Sequence, residues 1–142
     1  MKTFFISLLL LLGIQPIWSQ SNLDSLEESI FKRDLDTNLV NDQLKLGGSY
    51  LRKDSLKSFH FFNEALQNSD FLKYKTGEGR AYFNLAIWHI KWNNEADLIE
   101  NLFNKALHIF RNNNAIHDEI SAIRQLTYYY ESQGDGPKAI EL

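Results

Sequence analysis

Cysteine is absent from the sequence, which excludes disulfides, thiolate metal sites and cysteine nucleophiles. Proline occurs twice and glycine seven times in 142 residues, too few for a loop-rich β fold or a long flexible linker. No run of like charge is present either. The 15 basic and 18 acidic side chains are interspersed and leave a formal net charge of -3, so neither a nucleic-acid footprint nor a polybasic membrane patch is supported. After the opening segment no long apolar run occurs, and nothing later in the chain reads as a membrane span. What the chain does contain is 44% hydrophobic content, ordinary for one soluble domain, arranged with helical periodicity.

The opening segment, MKTFFISLLLLLGIQPIWSQS, has a basic Lys2, an apolar core from Phe4 to Ile14, the helix breaker Pro16, and small Ser19 ahead of Gln20. That is the layout of a secretory signal peptide over residues 1–19, cleaved after Ser19. Its 11-residue apolar core is shorter than the roughly 18 residues of a membrane span. No cysteine follows the cleavage region, so a lipid-modified N-terminus is excluded. The sequence therefore predicts an exported, periplasmic protein with no membrane span in its mature segment.

Leu23, Leu26, Ile30, Phe31 and Leu35 fit one amphipathic helix over residues 20–37. Leu44, Leu51, Leu56, Phe59, Phe62 and Leu66 fit two more, broken near Lys53-Asp54. Tyr82 to His89, Leu98 to Phe110 and Ile116 to Tyr130 each carry a further helical pattern. No stretch alternates with period two, so the fold class is all-α. Short polar turns are expected at Arg52-Lys53-Asp54, Trp92 to Glu95 and Gln133 to Gly136, with longer joints near Asn68-Ser69-Asp70 and Asn112-Asn113-Asn114. Such spacing favours antiparallel helix hairpins in a row. The chain also matches itself: Phe62-Asn63-Glu64-Ala65-Leu66 falls on Phe103-Asn104-Lys105-Ala106-Leu107, and Leu85 on Leu126, both 41 positions later.

These residues resemble the tetratricopeptide repeat. Its first helix carries a Leu, a small residue and an aromatic three positions on. Leu46-Gly47 with Tyr50 and Leu126-Thr127 with Tyr130 fit; Leu85-Ala86 with His89 departs at the His. Its second helix carries a small residue, an aromatic and Ala-Leu, as in Ser58, Phe62 and Ala65-Leu66; Ile99 replaces the small residue before Phe103 and Ala106-Leu107, and Ala139 opens a third. The 41-residue offset exceeds the roughly 34 usual for the family, which implies longer helices. The resemblance implies an α-solenoid of about two and a half repeats over residues 38–142, divided near 38–73, 74–114 and 115–142, the last incomplete. The opening of the mature chain is similar to exported repeat segments of bacterial sensor histidine kinases and membrane-tethered helix-turn-helix regulators. A fragment of such a longer protein is the expected reason for an unfinished third repeat; self-association through the open end is the alternative.

No catalytic motif emerges. His60, His89, His108 and His117 form no recognised ligand spacing, and His89 reads as a packed core position. His117-Asp118-Glu119 reads as a solvated helix start, where acidic residues complement the dipole. Gly77-Glu78-Gly79 reads as a short joint, not a phosphate loop, and Trp88 with Trp92 as core rather than a ligand cage. No metal, cofactor or enzymatic activity is expected. The expected function is that of an interaction scaffold, with the sensory region of a signalling protein as the alternative. The resemblance implies a concave face built from first helices, here Leu44, Gly48, Leu51, Phe83, Ile87, Ile90, Lys91, Arg124, Tyr128 and Glu131. Leu44, Gly48, Phe83 and Ile87 do not match the Lys and Asn pattern that grips a peptide carboxylate in the family. An apolar groove edged by Arg124 and Tyr128 would instead take an extended or helical peptide; the alternative is that Phe83 and Ile87 pack against the following helices.

Overall fold

The structure, a computed structural model, describes residues 23–141; the signal peptide read over residues 1–19 lies outside the described residues. The chain divides into two compact units, Met1–Arg33 and Asp34–Leu142, each taken by itself below. In the first, helix α1 covers residues 23–30. Phe31 and Leu35, expected on the same helix, fall in the turn that follows it. The reason lies at Asp36, whose extended backbone (φ -143°) starts the next helix and whose carboxylate accepts from the Leu39 N–H at 2.7 Å.

The second unit contains α2 (Thr37–Tyr50), α3 (Ser55–Phe71), α4 (Lys75–Trp92), α5 (Ala96–Asn112), α6 (Ile116–Ser132) and α7 (Gly136–Ile140). No strand occurs among the described residues, and the fold is all-α. Asp54 caps α3 through the Lys57 N–H, and Asp135 caps α7 through the Lys138 N–H, with Pro137 in the first turn. The joints are residues 51–54, 72–74, 93–95, 113–115 and 133–135, all three or four residues long.

The longer joints expected near Asn68-Ser69-Asp70 and Asn112-Asn113-Asn114 are therefore absent: α3 runs on through Phe71 and α5 through Asn112. Left-handed backbone makes the short reversals work. Lys73 (φ 57°), Asn114 (φ 54°) and Gly134 (φ 76°) each follow a helix end. The next N–H then reaches back to an unsatisfied helix carbonyl: Tyr74 to Ser69 at 2.8 Å, Ala115 to Phe110 at 2.9 Å, Asp135 to Tyr130 at 2.9 Å. Gly77 and Gly79, expected in a joint, sit inside α4. A Cβ at Gly79 would come within 2.7 Å of the Phe110 ring, so glycine here permits α4 and α5 to close together.

One core runs from Val40 and Leu44 in α2 to Tyr129 and Tyr130 in α6. Phe61, Phe62, Phe103 and Phe110 are each at most 1% exposed. Burying one such ring contributes about 1.5–3 kcal/mol. The Leu-small-aromatic and small-aromatic-Ala positions lie in this interior: Leu46, Gly47, Tyr50, Ser58, Phe62 and Ala65 are buried, as are Leu85, Ala86, His89, Ile99, Phe103 and Ala106. Ser58 Oγ donates to the Gly47 carbonyl at 2.8 Å, tying α3 to α2 at their closest approach. Each helix from α2 onward packs on its successor; α2 also touches α4, and α4 touches α6. Among the described residues no such backbone packing joins α3 to α5 or α5 to α7, although Lys138 of α7 donates to Glu100 of α5 at 2.9 Å.

Candidate functional site

The residues predicted for a groove separate into three groups. Leu44 is only 9% exposed and belongs to the core, so it cannot line a ligand site. It follows Val40 by one helical turn and shares the face that α2 buries. Leu51, Phe83, Ile87 and Ile90 are half-buried and packed against the core. Phe83 meets Phe103 of α5 edge to face, with ring centroids 6.0 Å apart. Gly48, Lys91, Arg124, Tyr128 and Glu131 remain exposed, Tyr128 to 58%. Lys91 Nζ stands 5.1 Å from the Trp92 ring centroid. The end of α4 and the middle to last turns of α6 thus each present a cation and an aromatic ring.

Beside this face, aromatic side chains of α3 and α4 clasp the joint between α2 and α3. Trp88 Nε1 donates to the Ser55 carbonyl at 2.9 Å and Trp92 Nε1 to the Leu51 carbonyl at 3.1 Å. Phe59 lies against Trp88, centroids 4.6 Å apart, and His89 meets both rings edge-on. His89 is 8% exposed, and burial pushes its pKa down, with Glu95 partly opposing. The imidazole is therefore neutral at pH 7 and packs where Tyr stands in the neighbouring hairpins.

Asp118 and Glu119, read as a solvated helix start, are instead half-buried and ion-paired. Arg80 forks onto Asp118 through Nε at 3.0 Å and Nη2 at 2.9 Å, bridging α4 to α6. Arg111 Nε reaches Glu119 at 2.7 Å, joining α5 to α6. The hydrogen bond that Arg80 donates to Asp118 holds the Arg80 pKa above its ordinary value. Helical periodicity carries no signal for such partners, because they lie 38 and 8 positions apart in sequence.

A cleft of about 560 Å³ opens between the first turns of α4 and the last turns of α5. That is within the roughly 300–1,000 Å³ of ligand pockets. Lys75, Glu78 and Tyr82 form one wall; Lys105, His108, Ile109, Asn112 and Asn113 form the other. Lys75 Nζ is held by Glu78 Oε2 at 2.7 Å, Lys105 Nζ rests 5.2 Å from the Tyr82 ring centroid, and His108 Nε2 lies 2.9 Å from Asn112 Nδ2. In the sequence His108 carries no role, as one of four histidines without ligand spacing, and Tyr82 only that of a helix position. The spacing of 75, 78 and 82 against 105, 109 and 112 was the legible signal, since each set lines one helix face.

Among the described residues, no three His, Asp or Glu side chains gather to hold a metal ion, and no helix is long and apolar enough to cross a membrane. The chain matches no family model, no curated protein and no solved structure.

Proposed function

We propose that α2 to α7 are stacked hairpins of a tetratricopeptide-like α-solenoid, and that the chain is a binding scaffold rather than an enzyme. A peptide or protein partner would lie along the face made by α2, α4 and α6. The supporting observation is the order of backbone packing: α2, α4 and α6 touch in series, whereas α3 packs only on its neighbours in sequence and α5 reaches beyond its own through the Glu100–Lys138 ion pair to α7. That is the contact order of hairpins added one after another. The repeat supports it too, since α3 and α5 begin and end 41 residues apart, and α4 and α6 begin 41 apart. On the proposed face, Lys91, Arg124 and Tyr128 offer cations and a ring to a partner, over a half-buried floor of Leu51, Phe83, Ile87 and Ile90. Aromatic and Arg side chains of this kind carry most of the energy in peptide and protein interfaces.

Panning a library of short random peptides against the whole chain tests the reading. Enriched peptides are expected to bind about tenfold more weakly to Tyr128→Ala and Arg124→Ala, with unchanged thermal melting. A library that enriches nothing, or binders indifferent to both changes, would count against it.

A further inference from the structure

The cleft between α4 and α5 lies off the proposed peptide face and has its own chemistry. In a chain of formal net charge -3, its lining carries Lys75 and Lys105 against a single carboxylate, Glu78, with the His108 ring beside them. Asp70 of α3 also acts on Lys75, but its carboxylate stands 3.5 Å from Lys73. The two lysines come from different helices: Lys105 is steadied before any ligand arrives by the Tyr82 ring at 5.2 Å, whereas Lys75 is occupied by Glu78 at 2.7 Å. Prepositioned cations lose less side-chain freedom on binding. Ile109 and the Tyr82 ring supply apolar surface between them. Asn112 and Asn113 add amide groups at the rim.

We propose that this cleft binds an acidic peptide segment, with carboxylates on Lys75 and Lys105 and an apolar side chain over Ile109 and Tyr82. Charge complementarity selects the occupant: a cationic cleft on an acidic chain disfavours basic peptides and leaves neutral ones without their strongest contacts. Glu78 is the restraint on affinity, because it holds Lys75 and repels an incoming carboxylate. The proposal stands apart from the α2, α4 and α6 face, and either can fail alone.

Fluorescence polarisation with a short fluorescein-labelled peptide of alternating glutamate and leucine tests it on the whole chain. The glutamine counterpart of the peptide should bind about tenfold more weakly. Lys105→Gln and Lys75→Gln should each weaken the glutamate peptide several-fold, and added salt should weaken it further. Glu78→Gln should tighten it, a gain that loss of a merely structural contact does not produce. Lys53→Gln, in the joint between α2 and α3, should leave it unchanged. Circular dichroism melting of each variant separates lost binding from lost folding. Equal binding of the glutamine peptide, parent-like binding by both lysine variants, or weaker binding by Glu78→Gln in a folded protein would each overturn the proposal.

Discussion

Adjacent glycines in α2 show how far a single residue's surroundings decide its worth. A Cβ at Gly47 would run into the Phe62 ring, which is fully buried and has no room to move; a Cβ at Gly48 meets nothing within 4 Å. Gly47→Ala is therefore expected to destabilise by about 1–3 kcal/mol through overpacking. Gly48→Ala should stabilise by about 0.5 kcal/mol through the backbone entropy that glycine loses in a helix. Urea unfolding of both variants checks the opposite signs. His89 gives a second residue-scale expectation. Its folded pKa lies below its ordinary value because it is buried, so the unfolded chain takes up the proton first as pH falls. Stability is then present above about pH 6.5 and lost as pH drops from there through the lower folded value. His89→Tyr, matching Tyr50 and Tyr130, should flatten the urea midpoint between about pH 7 and pH 5; an unchanged slope would remove His89 as its cause.

At the scale of elements, the helices and the short turns at 52–54, 92–95 and 133–136 were legible, and the longer joints were not. Apolar spacing located the helices most clearly where one stripe is buried, as in α5 with Ile99, Leu102, Phe103, Ala106, Leu107 and Phe110, whereas α4 is packed on several sides. Polar content misplaced the joint read near Asn68 to Asp70, since these residues continue α3 and the reversal depends on left-handed Lys73. Gly77 and Gly79 misled for a related reason: glycine marks close approach as well as turns. Of the residues read for a groove, the sequence could not separate the buried from the exposed. Leu44 belongs to the core, whereas Lys91, Arg124 and Tyr128 are exposed. Between elements, the forked Arg80–Asp118 pair should couple α4 to α6 by about 1 kcal/mol in a double-mutant cycle, more than a typical exposed pair because it is bidentate and half-buried. A coupling indistinguishable from zero would mean that packing alone holds α6 on α4.

For the whole second unit, the order of contacts is the fact on which the scaffold reading rests. If the hairpins are a series, damage at one end should remain near that end. Leu126 in α6 is 1% exposed, and Leu126→Ala should cost about 2–5 kcal/mol. Amide hydrogen exchange on this variant is the most direct measurement of the claim. Faster exchange confined to α5, α6 and α7, with α2 and α3 protected as in the parent, is the result a serial stack requires. An equal rise in exchange across every helix from α2 to α7 would contradict it and show one indivisible core.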